Sequence, residues 1–185
     1  MTSSVDICFE DLRSKILNGT YAPNTRLPSE RRLATDLGVN RVTVRSALIR
    51  LAGARLLMVK QGSGYVVQDF RRSGGPDLLA QVLVRSRELG AFHQAAHDVL
   101  MVRRHLAASV LEKLLERPPS TASLSRIGLA IDAFEIAVHE NAASTVIAAH
   151  DIEIVAALLE ATDSAVLGLC INPITAVLDE EDALR

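Results

Sequence analysis

The chain has 185 residues, 49% of them hydrophobic and 23% charged, and a formal net charge of −2. That balance belongs to a folded protein of one domain or two small ones and excludes a disordered chain. The longest stretch without Asp, Glu, Lys or Arg, Ser164–Leu178, is too short to span a bilayer, and Met1–Ser4 lead straight into a charged segment, so neither a membrane protein nor a secretory leader is expected.

The first predicted element is an amphipathic helix over about residues 5–18. Val5, Phe9, Leu12 and Ile16 recur at helical spacing, and Gly19 follows as a stop signal. Tyr21–Leu27, with Pro23, reads as a loop or short extended piece. Ser29 is placed to cap a helix that starts at Glu30, carries Leu33, Ala34 and Leu37 on one face and stops at Gly38. Asn40 caps the next helix, whose Val44, Ala47, Leu48 and Leu51 fall at i, i+3, i+4 and i+7. Leu56–Lys60 and Tyr65–Gln68 read as two strands around Gln61-Gly62-Ser63-Gly64, a hairpin turn.

A boundary follows at Arg71-Arg72-Ser73-Gly74-Gly75-Pro76. Residues 1–72 hold twelve Lys and Arg against six Asp and Glu, a balance of +6, whereas residues 73–185 hold eight against sixteen, a balance of −8. Two domains, 1–72 and 73–185, with different partners are therefore expected, the basic one facing a polyanion. Beyond the boundary the pattern is helical throughout. Leu78, Leu79, Val82 and Leu83 form a short face, and Val99, Val102, Leu106 and Val110 form a stripe on a long helix of roughly 91–116 that Pro118-Pro119 ends. Leu124, Ile127, Ile131, Phe134 and Val138 mark a third helix, and Val146, Ala149, Ile152 and Leu159 a fourth. A fifth begins near Ser164, and its Pro173 predicts a kink or a break.

Two cysteines, Cys8 and Cys170, make neither a disulfide framework nor a zinc ribbon, which suits a reducing cytoplasm. Aromatic residues are 3% with no Trp, which disfavours a single-strand binder that stacks bases.

The chemistry concentrates in residues 29–51, a helix, a tight turn and a second helix. In this arrangement the second helix enters the DNA major groove. Arg41 and Arg45 lie one turn apart opposite the apolar stripe, and the planar fork of arginine pairs with guanine O6 and N7 or clamps a phosphate. Asn40 and Thr43, at the helix start, are placed to donate to phosphate oxygens. Lys60 stands beside Gly62 and Gly64, where the backbone can approach a sugar–phosphate chain closely.

The wording is more specific than the pattern. It runs Leu12-Arg13-x-x-Ile16-x-x-Gly19, Pro23, Leu27-Pro28-Ser29-Glu30-Arg31-x-Leu33-Ala34, Leu37-Gly38-Val39-x-Arg41-x-Thr43-Val44-Arg45-x-Ala47-Leu48-x-x-Leu51 and Gly62-x-Gly64-x-x-Val67. Over about residues 7–70 this closely resembles the winged helix-turn-helix of the GntR family of bacterial transcription regulators. The resemblance implies that Arg31 meets a phosphate or base edge, that Arg41 and Arg45 sit in the major groove with Thr43 on phosphate, and that Gly62 forms the wing tip over the minor groove. Asn24 stands where the family usually has Gly after Pro, Asn40 replaces a common Ser or Thr, and Gly53-Ala54 alter the link before the first strand.

The second half resembles the all-helical effector domain of the FadR-type branch through Ser73-Gly74-Gly75-x-x-Leu78-Leu79, Val102-Arg103 and Asp151-Ile152-Glu153-Ile154-Val155. Many such domains bind a metal with an Asp and a His four residues apart. Here Asp151 matches and Val155 takes the His position, so no metal is expected. Fatty-acid-responsive members use the cavity for an acyl-CoA thioester with an arginine near its carbonyl, and Arg103 matches that arginine. Arg103 and Asp151 are the effector-site candidates. His93 and His97, at i and i+4, read as a surface pair. By that resemblance the domain continues for about two more helices past the point matching Arg185, so either a shortened bundle or a fragment is expected.

The expected fold is therefore mainly α: a winged helix-turn-helix of three helices and a β-hairpin, then an antiparallel α-helical bundle. The expected function is a cytoplasmic, non-enzymatic regulator. It binds a near-palindromic double-stranded DNA operator as a homodimer and responds to an acyl-CoA or another carboxylate. The alternative is a helical interaction protein whose basic half binds an acidic protein partner.

Overall fold

The computed structural model describes residues 3–62 and 64–179. It divides into two compact units, Met1–Leu78 and Leu79–Arg185.

The first unit opens with α1 (Ser4–Leu17). Ser3 and Asp6 form a reciprocal capping box: the Ser3 hydroxyl accepts from the Asp6 amide at 3.2 Å, and the Ser3 amide donates to the Asp6 carboxylate at 3.1 Å. α2 (Glu30–Leu37) and α3 (Arg41–Gly53) follow, then the antiparallel strands β1 (Leu57–Lys60) and β2 (Gly64–Val67). Leu57 pairs with Val67 and Lys60 with Gly64, so the register closes on the expected turn. The segment before α2 adds a third extended piece along β2. Arg26 bridges Val66, the Leu27 amide donates to the Tyr65 carbonyl, and the Val67 amide donates to the Thr25 carbonyl, both at 2.9 Å. Asn24, just before it, has φ +66°, a left-handed conformation that Asn tolerates better than most residues and that explains a glycine preference there.

One contiguous core joins these elements. Phe9, Leu12 and Ile16 of α1, Leu33 of α2, Val44, Leu48 and Leu51 of α3 and Leu57 and Val67 of the hairpin are all buried in it. Cys8 lies in the same cluster, where burial pushes its thiol pKa up. The predicted boundary segment folds back onto this unit. Phe70–Ser73 forms a short helix (α4), Ser73 Oγ donates to the Arg55 carbonyl at 3.1 Å, and Leu78 is buried in the core.

The second unit comprises α5 (Leu79–Glu88), α6 (Phe92–Glu116), α7 (Thr121–His139), α8 (Ser144–Thr162) and α9 (Ala165–Asp179). α7 and α8 pack as a hairpin, while α6 meets α5, α8 and α9. Its buried cluster is small: Ala80, Leu83, Val99, Ile174 and Val177. Of the kink or break expected at Pro173, the break does not occur, because α9 runs across it. Pro removes one N–H, but Ile171, Ile174 and Val177 are buried on either side, and their packing outweighs the missing bond. Among the described residues no helix is long and apolar enough to cross a membrane, and no three His, Cys, Asp or Glu side chains gather as metal ligands.

Candidate nucleic-acid interface

The turn between α2 and α3 is set by local chemistry. Ser29 Oγ accepts from the Arg32 amide at 3.3 Å, which starts α2. Gly38, at φ +64°, ends it in the left-handed conformation that glycine adopts without a Cβ penalty. Asn40 Oδ1 accepts from the Thr43 amide at 2.8 Å and starts α3. The Asn40 carboxamide nitrogen has no part in this cap and stays available to a donor role at the helix start.

α3 therefore presents two different faces. Val44, Ala47, Leu48 and Leu51 are buried completely. On the opposite side Arg41, Val42, Arg45 and Ile49 are exposed, at i, i+1, i+4 and i+8. Val42 is 74% exposed and Ile49 59%, in the middle of the arginine face. Sequence reasoning passed over both, since it looked for contacts among the polar residues of this face only. Their signal was available: positions 42 and 49 lie two turns apart on the side away from Leu48. Thr43 is 8% exposed and faces inward, so its hydroxyl is the least open of the expected contacts.

Arg45 has a partner that the sequence did not reveal. Its Nε lies 3.1 and 3.2 Å from the two carboxylate oxygens of Glu30, and its Nη2 lies 2.7 Å from Glu30 Oε2. The contact ties the first residue of α2 to the middle of α3. Arg45 holds the Glu30 carboxyl below the usual carboxylate range, and Glu30 holds the Arg45 guanidinium above its ordinary value. Arg31, Arg41 and Lys60 are exposed and form no ion pair among the described residues. Lys60 ends β1, and Gly62 and Gly64 follow at φ +72° and +82°, values that favour glycine at both positions of this turn. Basic groups thus stand on one helix face and on the hairpin of a single compact unit, which suits a polyanion.

In the second unit the two effector candidates meet each other. Arg103 of α6 donates through Nη2 to the Asp151 carboxylate of α8. A half-open cavity of about 430 Å³ lies between α7 and α8, lined by Arg126, Leu129, Ala133, His150 and Glu153 among others. Neither Arg103 nor Asp151 lines it. His93 and His97 are exposed on α6.

Residues 7–67 match the family described as "Bacterial regulatory proteins, gntR family". The chain is 44% identical over 117 residues to the HTH-type transcriptional regulator Mce2R of Mycobacterium tuberculosis, a match covering 63% of this chain and 43% of that protein. It is 28% identical over 163 residues to the fatty acid metabolism regulator protein of Salmonella paratyphi B, covering 88% of this chain and 64% of the relative. The chain thus spans less than two thirds of the length of these relatives. The structure of Lar, described as controlling expression of the Listeria monocytogenes agr system, superposes with a TM-score of 0.58 at 14% identity, over 100% of this chain and 76% of that one, a likeness of fold. With its capped helices, left-handed turn and glycine-tipped hairpin, the first unit of this chain is a helix-turn-helix DNA-binding domain of the GntR family.

Proposed function

We propose that the chain regulates transcription by binding a near-palindromic DNA operator as a homodimer, with α3 in the major groove and the β1–β2 hairpin against the minor groove. The observation that carries this reading is the α3 face, where Arg41 and Arg45 flank an exposed Val42. Arginine reads guanine, and an apolar side chain between the arginines suits a thymine methyl group. Arg31, the Asn40 amide nitrogen and Lys60 take phosphates, and Gly62 and Gly64 let the hairpin approach closely. Such a protein acts where the chromosome is, in the cytoplasm.

The helical unit supplies dimerisation and responds to a carboxylate or acyl-CoA. Leu124, Leu129 and Ile136 of α7 are exposed and suit a second copy. The relative named a fatty acid metabolism regulator supports the ligand class. An anionic effector at the Arg103 guanidinium competes with Asp151 for it, and that exchange would couple α6 to α8.

The test is selection of duplexes from a randomised library by wild-type protein, followed by titration at several salt concentrations. Tight, sequence-selective and salt-dependent binding that Arg41→Ala weakens is expected. Salt-dependent binding with no sequence preference, alongside capture of an acidic protein, favours the interaction-protein alternative.

A further inference from the structure

The contact between Glu30 and Arg45 bears on how the interface reads bases. The guanidinium has five N–H donors in a planar fork. Glu30 takes its side edge, formed by Nε and one hydrogen of Nη2, at 2.7–3.2 Å. The end edge, formed by Nη1 and the second hydrogen of Nη2, stays open. That edge carries two parallel donors of the spacing that guanine O6 and N7 accept. The side chain of Glu30 is the more sheltered of the two, at 25% exposure against 64% for Arg45, so the pair points its guanidinium outward.

Charge adds a second consequence. A carboxylate beside a DNA backbone is repelled by it, and here it offsets the cation it holds. Each uncompensated cation at a phosphate releases a counterion and strengthens binding to any sequence. A neutral ion pair contributes little of that general attraction. It keeps the directional hydrogen bonds and avoids the rotamer entropy that a free arginine loses on docking.

Resting on the reading of α3 as the DNA-facing helix, we infer that Glu30 is a specificity-determining positioning residue: it clamps the side edge of Arg45 so that the end edge faces a guanine, and it removes the pair from the electrostatic attraction to phosphate. Arg31 and Lys60 then supply general affinity, and the Glu30–Arg45 pair supplies discrimination at its base.

The experiment uses the full chain, the duplexes selected by wild-type protein, and a scrambled duplex of the same composition. Circular dichroism checks the helices of each variant. Glu30→Gln keeps the size and removes the charge. It should bind the scrambled duplex several-fold more tightly, steepen the dependence of log K on log salt by about one ion, and lower the preference for selected over scrambled DNA by about tenfold. Glu30→Asp keeps the charge and shortens the reach. It should retain the wild-type salt slope and still lose preference, which separates orientation from charge. In an Arg45→Ala background, Glu30→Gln should change the preference no further. Wild-type preference in both Glu30 variants overturns the inference, as does an equal loss with and without Arg45. Should Arg45→Ala itself bind the selected duplexes as wild type does, the reading of α3 fails, and the clamp with it.

Discussion

The two units spend their apolar residues in opposite ways. Among the described residues the first gathers fifteen buried side chains into one cluster drawn from α1, α2, α3, both strands and the segments that join them. The second is longer and built almost wholly of helices, yet among its described residues the buried cluster has five members. Its apolar side chains lie instead on open faces, with Leu115 of α6 at 82% exposure and Leu129 of α7 at 70%. Large apolar side chains left open on a helix are unusual for a face that meets only water. The first unit closes its core on itself, whereas the second leaves much of its apolar surface exposed.

The largest expected effect tests that contrast directly. Leu48 is completely buried, and Leu48→Ala should cost about 2–5 kcal/mol, read from the denaturant midpoint of the first unit. Leu129→Ala should cost under about 0.5 kcal/mol in dilute protein. Equal costs would break the comparison. If a second copy covers α7, the Leu129→Asp variant should sediment as a smaller species than wild type, and its melting temperature should lose its dependence on protein concentration.

Next in size is Arg45→Ala, which should weaken binding to selected duplexes by about 1–3 kcal/mol while leaving the second unit's thermal transition in place. Asn40→Ala removes the cap of α3 and should lower the stability of the first unit by about 1 kcal/mol, measured by denaturant titration. The smallest effect is acid-dependent. Ser3 and Arg50 hold the Asp6 carboxyl at about 2, below its ordinary 3.8. Because the folded value is the lower one, the contribution is complete above about pH 3.8 and is lost as pH falls through about 2. Asp6→Asn should flatten the melting temperature in that window, in the first unit alone.

What the sequence made legible is what acts within a few residues. Ser29 and Asn40 were readable as caps because each bonds an amide three residues on. The hairpin was readable because glycines mark its turn. The partner of Arg45 was not, since Glu30 lies fifteen residues away and meets it only through the crossing of α2 and α3. Arg103 and Asp151 were each read singly, through a resemblance, as facing a ligand. Their pairing spans 48 residues and depends on how α6 and α8 pack. At Pro173 local propensity pointed to a kink or a break, and burial of Ile171 and Ile174 keeps the helix unbroken. Val42 and Ile49 were passed over for a different reason: the apolar stripe of α3 was read correctly, but apolar residues outside it were not considered as contacts.

The burial of Cys8 gives the molecule a built-in clock. Its thiol lies in the core of the first unit, while Cys170 of α9 is exposed. A thiol reagent should modify Cys170 at once and reach Cys8 only when the first unit opens, so the Cys8 labelling rate times solvent entry into that unit, with Cys170 as the freely reacting reference and no engineered probe. Bound DNA that stabilises the first unit would slow the Cys8 clock and leave the Cys170 reference unchanged.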